Sequence, residues 1–335
     1  MIYLADVIVD LQAGDTGKGK VAHALAKKPG AYDYVMRYNG GGNAGHTVYH
    51  NGKKFVTHLV PVGVFYGIKS IIGLGCVINI DKLIKEMIEL QNNGVNVRDY
   101  LLIDKRAHII TDAHVEEDSK DSEIGTTKTG NGPAYRDKYY RKGVRAIDVP
   151  QLSDMVIDTY ELFKNHSNCK ILCEGAQGFE LDIDWGDYPY VTSSHCTVGG
   201  AILNGIPPKC IDKVYGIAKA YRTYVGAKSF EGDDTIFPKI REVGNEFGAT
   251  TGRPRQVDWI NVDDLIKAIN INGVTNLIIN KLDVLQELDV YKLYNKNELK
   301  SFDNVSDFIM FIEDTIYTEC MDIQNIKFSV TPYDI

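Results

Sequence analysis

A glycine-rich segment near the start of the chain combines residues that could hold phosphate groups. It runs Gly-Asp-Thr-Gly-Lys-Gly-Lys from 14 to 20, between an apolar, β-branched stretch and the helical composition of residues 21–28. Such a turn offers backbone N–H groups and the positive end of a helix dipole to an anion. We therefore expect phosphate contacts from Gly14, Thr16, Gly17, Lys18, Gly19 and Lys20, with an ordinary flexible turn as the alternative. The spacing is not that of a Walker loop, because two residues rather than four separate Gly14 from Gly17.

The same segment contains a carboxylate, Asp15, which would repel bound phosphates. Its presence becomes favourable if the carboxylate binds a metal ion or takes up a proton. The residue therefore indicates either a Mg²⁺ ligand or a general base.

A second segment, residues 37–47, brings four glycines close to the imidazole of His46. Glycine allows the backbone to approach a ligand closely, and an imidazole can donate a proton near neutral pH. A lone histidine is more often structural than catalytic, so both interpretations of His46 stay open here.

A third segment, Asn-Lys-Leu-Asp from 280 to 283, ends the apolar run NLIIN. The Asp283 carboxylate could accept hydrogen bonds from N1–H and the 2-amino group of guanine, while the stem of Lys281 covers the ring. Adenine has no such pair of donors on one edge. A charged turn after a strand is the alternative interpretation.

A fourth segment, residues 250–255, sets two threonines and two arginines around one glycine. Guanidinium groups pair with carboxylates in a bidentate geometry, so this segment suits a small dicarboxylate. A solvated basic loop would have the same composition.

These segments must be positioned by the elements between them, which alternate between strand and helix patterns. Strands are predicted at 3–11, 34–38, 70–80, 100–103, 170–173, 214–218 and 276–280, and helices at 81–90, 262–270 and 305–318, with Asp81 as an N-cap. Strands separated by helices favour a largely parallel sheet covered on both faces. The polar, glycine-rich stretch 116–149 is predicted to be an extended functional loop.

Composition excludes several classes of protein. The chain has 335 residues, of which 44% are hydrophobic and 24% charged, so it is neither disordered nor fibrous. Its net charge of -8 gives no general attraction to nucleic acid, and no apolar run is long enough for a membrane span. The six cysteines form no CxxC pair, so we expect reduced, mostly buried thiols in a cytoplasmic protein.

Taken together and in order, seven segments resemble adenylosuccinate synthetases. They are GDTGKGK, RYNGGGNAGHTV, GTTKTGNGPAYRDKYYRKGVR, CEGAQGFELDIDWGDYPYVTSS, GIAKAYRTYVGA, NEFGATTGRPR and NKLDVL. The resemblance implies an α/β fold with a large, mostly parallel central sheet covered by helices, a P-loop-like nucleotide-binding architecture and a single domain over residues 1–335. It also implies a ligase of purine biosynthesis that uses GTP and Mg²⁺ to join L-aspartate to IMP through a 6-phosphoryl intermediate.

The resemblance further implies a role for each matching residue. Asp15 matches the base that removes the N1 proton of the purine, His46 the acid at the transferred phosphoryl group, and Gln177 the amide that contacts the base. The acceptor nucleotide is expected to contact Asn43, Thr127, Arg141, Thr192 and Val225, and L-aspartate is expected to contact Thr250, Thr251, Arg253 and Arg255. Besides the first segment, GTP is expected to contact Thr47, Asn280, Lys281 and Asp283. Mg²⁺ is expected to bind Asp15 and the Gly45 carbonyl. Arg141 matches an arginine that reaches the neighbouring subunit's nucleotide, which implies a homodimer with shared active sites.

Departures from the family pattern leave alternatives open. Thr16 replaces a usual glutamate, Gly42 a histidine, Tyr224 an arginine, and Pro254 interrupts the arginine run, while AKSFEGDD follows Gly226 instead of Gly-Pro-Phe-Pro. The shorter segment between 149 and 170 is similar to compact archaeal and viral members of the family. Thr16 and the run Val-Asp-Leu-Gln before the first segment are similar to a viral branch that joins aspartate to dGMP for diaminopurine DNA. A GTP-binding protein without ligase activity is the third interpretation.

Overall fold

The computed structural model describes residues 4–121, 123–166, 168–248 and 252–331. Its strands are β1 Leu4–Asp10, β2 Tyr34–Arg37, β3 His46–His50, β4 Lys53–Thr57, β5 Lys69–Ile72, β6 Val77–Ile78, β7 Leu101–Asp104, β8 His108–Ile109, β9 Val156–Ile157, β10 Lys170–Glu174, β11 Ile211–Lys219, β12 Tyr221–Tyr224, β13 Gln256–Asn261, β14 Asn276–Asn280, β15 Tyr291–Asn295, β16 Glu298–Phe302 and β17 Asn325–Phe328. Its α-helices are α1 Lys18–Ala26, α2 Ile80–Asn92, α3 Asp112–Ser119, α4 Asn131–Tyr140, α5 Thr159–Asn165, α6 Val198–Leu203, α7 Phe237–Val243, α8 Val262–Asn272, α9 Leu282–Leu288 and α10 Val305–Glu319.

A large central sheet organises the described part of the chain. Nine of its strands lie in the order β17-β14-β11-β1-β10-β2-β5-β7-β9. Every neighbouring pair in this sheet is parallel. The predicted α/β class with a mostly parallel central sheet is therefore confirmed. Smaller sheets pair β12-β13-β15-β16, β3 with β4, and β6 with β8.

Apolar residues cover both faces of this sheet. Along β1 the side chains alternate, so that Val7 and Val9 pack into one core and Ile8 into the other. The first core contains buried residues of α8 and α10, and the second contains buried residues of α1 and α2. Helices on both faces are what strands buried on both sides require.

The carboxyl ends of five adjacent strands, β14, β11, β1, β10 and β2, lie at one edge of the sheet, because neighbouring strands are parallel. Each of these strands ends in a polar side chain that is at most 3% exposed: Asp10, Arg37, Glu174, Lys219 and Asn280. Burying such groups is costly unless each is paired, so this edge must contain a network of ion pairs and hydrogen bonds. In open parallel sheets, ligands bind at this edge.

Three predicted elements are wrong in their extent. The strand predicted over 70–80 is divided into β5, which belongs to the central sheet, and β6, which pairs with β8 in a separate sheet. Between them, Gly75 packs so closely that an added Cβ would lie 2.0 Å from the Tyr38 carbonyl oxygen. Helix α2 begins one residue before Asp81, and its N-cap is Asn79, whose side chain accepts from the Lys82 backbone N–H at 3.0 Å. The predicted loop 116–149 contains α4, whose apolar residues are buried against β6 and β8.

Two further sequence expectations can be compared with the structure. All six cysteines lie in described segments, where they are buried and unpaired. Among the described helices, none combines the length and the apolar character that crossing a membrane requires.

Candidate active site at the carboxyl edge of the sheet

The glycine-rich segment wraps around the Asp10 carboxylate at the end of β1. The Lys18 ammonium lies 2.8 Å from Asp10 Oδ2, the Thr16 hydroxyl donates to the same oxygen, and the Gln12 backbone N–H donates to Oδ1 at 2.9 Å. Helix α1 then begins at Lys18 behind an N-cap, Gly17, that has no side chain to cap it. The first N–H groups of α1 are consequently available to an anion, as the phosphate prediction requires.

Two glycines of this segment are required by close contacts. An added Cβ at Gly17, where φ is 102°, would lie 2.8 Å from Asn280 Nδ2, and one at Gly19 would lie 2.9 Å from His46 Cβ. Asn280 also donates to the Thr16 carbonyl oxygen at 2.7 Å. The segment is therefore held between β14 and the start of β3. Gly14, which has a φ of 87°, lies beside the backbone of Gln177.

The two lysines of the segment make contacts within the protein. The Lys18 side chain is 5% exposed and ion-paired with Asp10. Lys20 donates to Ser329 Oγ at 2.7 Å and to the Thr331 carbonyl oxygen at 2.9 Å. Both ammonium groups thus help to fix the position of α1 relative to the strand ends.

His46 is held in one tautomer by a buried arginine. Arg37 Nη2 lies 2.9 Å from His46 Nδ1, and because a guanidinium can only donate, Nδ1 accepts and the proton is on Nε2. Burial, followed by the nearby charges of Arg37 and Lys18, holds the pKa of His46 well below its usual value. His46 Nε2 is buried and has no hydrogen-bond partner in the described part of the chain. His46 is thus a neutral imidazole with an unused N–H donor beside the glycine-rich segment.

Arg37 is itself fixed by the carboxylate at the end of the adjacent strand. Its Nε and Nη2 lie 3.0 and 2.7 Å from Glu174 Oε1, and its Nη1 donates to the His58 carbonyl oxygen at 3.2 Å. The Val62 backbone N–H approaches Glu174 Oε2 at 3.4 Å. The buried Arg37–Glu174 pair therefore fixes the orientation of the His46 ring through its Nδ1 atom.

Asp15 lies opposite an arginine from the fourth sequence segment. Asp15 Oδ2 is 2.9 Å from Arg255 Nη2, while the carboxylate is 40% exposed. Arg255 Nη1 is 2.5 Å from Glu246 Oε2. The structure therefore brings together the predicted base and one of the predicted aspartate-binding residues.

Of the other three residues of the fourth segment that were predicted to bind L-aspartate, the structure describes only Arg253. Thr250 and Thr251 lie outside the described residues, and Arg253 is exposed. Only Arg255 of this segment is buried among the described residues, at 9% exposure.

The residues expected to bind the acceptor nucleotide are only partly brought together. Gln177 has a φ of 56°, donates from Nε2 to Asn43 Oδ1 at 3.1 Å, and has a buried Oε1 with no partner in the described segments. Thr192 follows in the same loop region and donates its backbone N–H to the Leu181 carbonyl oxygen at 2.8 Å. A buried, unused amide oxygen next to Asn43 marks a place where a ligand donor would be stabilised.

Three other predicted acceptor residues make no hydrogen bond to Gln177 or Asn43 in the described part of the chain. Thr127 is exposed, and its hydroxyl lies 2.9 Å from that of Thr129. Arg141 is exposed at the C-terminal end of α4, and Val225 is half-buried after β12. No hydrogen bond between described residues joins any of the three to Gln177 or Asn43.

The predicted guanine-binding residues lie at the end of β14. Lys281 has a φ of 68°, precedes α9, and donates to the Gly244 carbonyl oxygen at 2.7 Å. Asp283 lies in the first turn of α9 and is half-buried, and its carboxylate accepts no hydrogen bond from the described residues. Asn280 Oδ1 is likewise buried without a partner in the described chain. Thr47, also expected near GTP, lies in β3 directly after His46.

Two oxygen donors were expected to hold Mg²⁺. The carboxylate of Asp15 and the backbone carbonyl of Gly45 are hard ligands of the kind that Mg²⁺ prefers, and the exposed fraction of Asp15 leaves it accessible. A separate cluster, Asp182, Asp184 and His195, has ligand atoms close together. However, Asp182 already accepts from the backbone N–H groups of Asp184 and Trp185 and of Cys196, which indicates a structural role for that carboxylate.

A cavity of about 320 Å³ adjoins this edge, and one of the residues that line it, Tyr224, differs from the arginine usual in the family. Tyr224 lines it, and its ring centroid lies 5.5 Å from that of Phe230. Arg222 also lines it, with its guanidinium 4.9 Å from the Phe230 ring. Thus Tyr224 belongs to an aromatic wall of this cavity.

Sequence reasoning missed the buried residues that support the site: Asp10, Glu174, Lys219 and Glu246. The signal was present for three of them, because Asp10, Glu174 and Lys219 each follow an apolar run directly. A charged residue at the last position of a buried parallel strand lies at the ligand-binding edge. Glu246 carries no comparable pattern in its surroundings.

Comparisons with known sequences identify the family of this chain. A sequence model of the adenylosuccinate synthetase family matches residues 7–153 and 149–315. The chain is 39% identical to adenylosuccinate synthetase of Caldanaerobacter subterraneus subsp. tengcongensis and 38% identical to that of Streptococcus gordonii, in each case over 86% of this chain and 79% of the relative.

Solved structures give the same result. A fully ligated adenylosuccinate synthetase from Plasmodium falciparum superposes with a TM-score of 0.86 at 29% identity, covering 98% of this chain and 97% of the other. The succinoaminodeoxyadenylate synthetase of cyanophage S-2L, bound to dGMP and dATP, has a TM-score of 0.77 at 23% identity over 99% and 94%, which shows a shared fold. The chain belongs to the adenylosuccinate synthetase family of carbon–nitrogen ligases.

Proposed function

We propose that this protein uses GTP to join L-aspartate to C6 of IMP, with the reaction taking place at the carboxyl edge of the central sheet. The observation that carries the proposal is the unused Nε2–H of His46 beside the uncapped start of α1. Both are hydrogen-bond donors suited to phosphoryl oxygens. The wider proposal treats residues 1–335 as one catalytic domain of a cytoplasmic enzyme.

The chemistry needs O6 of the purine to become a good leaving group. Asp15 removes the N1 proton, and O6 then attacks the γ-phosphorus of GTP, giving GDP and a 6-phosphoryl purine. His46 donates its Nε2–H to the transferred phosphoryl group. The amine of L-aspartate then attacks C6, and phosphate leaves with the former O6. Mg²⁺, held by Asp15 and the Gly45 carbonyl, would offset the charge of the phosphates.

Binding of each substrate is assigned to the predicted residues. The start of α1, with Gly14, Thr16, Gly17, Lys18, Gly19, Lys20 and Thr47, forms the surroundings of the GTP phosphates. Asp283 and Lys281 contact guanine, and Asn280 supports them by its contact with the Thr16 carbonyl oxygen. L-Aspartate binds Arg255 together with Arg253, Thr250 and Thr251, and the purine base lies against Gln177.

The acceptor is proposed to be IMP rather than dGMP. Thr16, the departure similar to the viral branch, is 1% exposed and donates its hydroxyl to Asp10. Its side chain is therefore directed into the protein, which weakens the argument that it selects the acceptor. Asp15, which can serve as a base toward N1–H, is retained.

A product assay tests the proposal. The purified protein is incubated with L-aspartate, GTP and Mg²⁺ together with IMP and dGMP at equal concentration, and the succinyl products are separated by chromatography and identified by mass. We expect adenylosuccinate, GDP and phosphate in equal amounts. Conversion of dGMP with IMP unchanged would move the protein to the viral activity. GTP binding without any succinyl product would leave a binding protein.

We also propose a homodimer in which Arg141 reaches the nucleotide phosphate of the partner. Its exposure at the end of α4 is consistent with this role. Mixing Asp15→Asn with Arg141→Leu subunits tests it. Half of the random dimers are mixed, and each mixed dimer has one intact site of two, so about a quarter of wild-type activity should return. No recovery after subunit exchange would contradict shared sites.

A further inference from the structure

Glu246 lies at the centre of a buried charge network that the reaction as described does not use. Its side chain is 1% exposed and follows α7 in the turn that leads to the aspartate-binding segment. Lys219 Nζ lies 3.2 Å from both of its carboxylate oxygens, and the Tyr221 hydroxyl donates to Oε1 at 2.6 Å. Arg255 Nη1 lies 2.5 Å from Oε2, and the Arg255 backbone N–H donates to the Glu246 carbonyl oxygen at 3.0 Å.

The network continues from Arg255 to the proposed base. Lys219, Glu246, Arg255 and Asp15 form a chain of alternating charges, two positive and two negative. Burial alone would raise the pKa of Glu246, but the charges of Lys219 and Arg255 outweigh it and lower that pKa to about 2. The carboxylate is therefore ionised at neutral pH and remains a permanent partner of Arg255.

The contact with Glu246 leaves one edge of the Arg255 guanidinium for other carboxylates. Glu246 takes Nη1, whereas Asp15 takes only Nη2 of the opposite edge. Arg255 Nε, the second donor of that edge, is buried and has no partner among the described residues. A carboxylate that bound both Nε and Nη2 would make a bidentate pair, which is stronger than the single contact of Asp15.

We propose that Glu246 is a positioning residue that holds this edge of Arg255 ready for a carboxylate of L-aspartate. When L-aspartate binds Nε and Nη2, it displaces Asp15 and leaves that carboxylate free to act on the purine. Glu246 acts through Arg255 and touches neither substrate. The inference rests on the proposed function, because it takes Arg255 as the aspartate-binding residue.

The variant Glu246→Gln tests this role with nearly the same side-chain volume. It removes the negative charge that faces Arg255, so the KM for L-aspartate should rise about tenfold or more. The KM values for GTP and IMP should change by less than about twofold, because those ligands do not use the Nε and Nη2 edge. The control Glu242→Gln makes the same chemical change at an exposed residue of α7 and should leave all three constants unchanged.

Additional variants separate positioning from a general loss of structure. Glu246→Asp keeps the charge and should recover part of the aspartate affinity. Should Glu246→Gln fail to fold, Tyr221→Phe decides the question, because it removes one hydrogen bond to Glu246 and keeps every charge. A rise in the KM for L-aspartate alone would then support the proposal.

The outcomes also distinguish this inference from the proposed function. Aspartate KM values within about twofold of wild type in the folded variants would overturn the role of Glu246. An equal rise in all three KM values would overturn it as well, since that result indicates a structural residue. Failure of the wild-type protein to form any succinyl product would instead overturn the proposed function.

Discussion

Replacement of His46 by asparagine would isolate the one hydrogen bond that we assign to phosphoryl transfer. The amide oxygen of the introduced side chain can occupy the place of Nδ1 and accept from Arg37, so the buried guanidinium keeps its partner. The donor at the position of Nε2 is lost. The matched variant His46→Gln has the opposite effect, because its longer amide can donate from the Nε2 position while Arg37 loses its acceptor.

The expected size of the effect follows from the charge of the acceptor. A hydrogen bond to a charged group contributes about 1.5–3 kcal/mol, which corresponds to a loss of roughly 10- to 150-fold in kcat. His46→Asn should therefore turn over IMP about a hundredfold more slowly, within the range found for single donors in oxyanion holes. Its melting temperature should stay close to that of the wild type, whereas that of His46→Gln should fall.

The pH dependence provides an independent check. The pKa of His46 is held well below its usual value by burial, and the charges of Arg37 and Lys18 act in the same direction. Its N–H donor is therefore present at every pH above about 6.5, and kcat should not fall between about pH 6.5 and 8 through His46. An imidazolium acid would lose activity in that interval. A wild-type rate in His46→Asn, or a decline with rising pH that disappears in this variant, would refute the reasoning.

Two further predictions concern residues of the site, and a third concerns the stability contributed by His23 in α1. Asp15→Asn should lower kcat by about 10²- to 10⁴-fold, because the N1 proton loses its acceptor, and normal turnover in the product assay would contradict the assignment of the base. Asp283→Asn should reduce the preference for GTP over ATP by roughly 1–3 kcal/mol, measured as the ratio of the two kcat/KM values, and an unchanged ratio would remove Asp283 from guanine recognition. Burial lowers the pKa of His23 to about 4, whereas the value in an unfolded chain is about 6.5. Because the unfolded state then binds the proton more readily, the free energy of unfolding should fall as the pH drops from about 6.5 to 4. Urea titrations should show a smaller fall in His23→Gln, and identical profiles would contradict the shift.

Local pattern was sufficient for much of the fold. The strand at 276–280 has the predicted bounds, because an apolar run bounded by polar residues determines its extent. The strand predicted over 70–80 failed for a non-local reason, since β6 leaves the central sheet and pairs with β8, and an apolar run does not reveal its pairing partner. Likewise, α4 is stabilised by burial of Tyr135 between distant segments, and its polar composition alone suggested a loop.

The site shows a similar division. The glycines at 17 and 19 were identified by type and spacing, and the structure explains them by contacts with Asn280 and His46. The protonation state of His46 could not be derived, because it depends on Arg37, whose guanidinium reaches His46 Nδ1 only in the folded chain. Glu246 could not be found either, since its importance arises from Arg255 and from residues far away in sequence. Spacing can thus identify side chains that touch a ligand more readily than those that support them.

The burial of every thiol has a practical consequence for measuring motion in this protein. Since all six cysteines are buried, a maleimide dye should react slowly with the native chain. A single cysteine introduced at the exposed residue Lys128 would then provide a specific attachment point in the segment between α3 and α4. The fluorescence of a dye at that position could follow this segment while nucleotides and L-aspartate are added, without removal of any native cysteine.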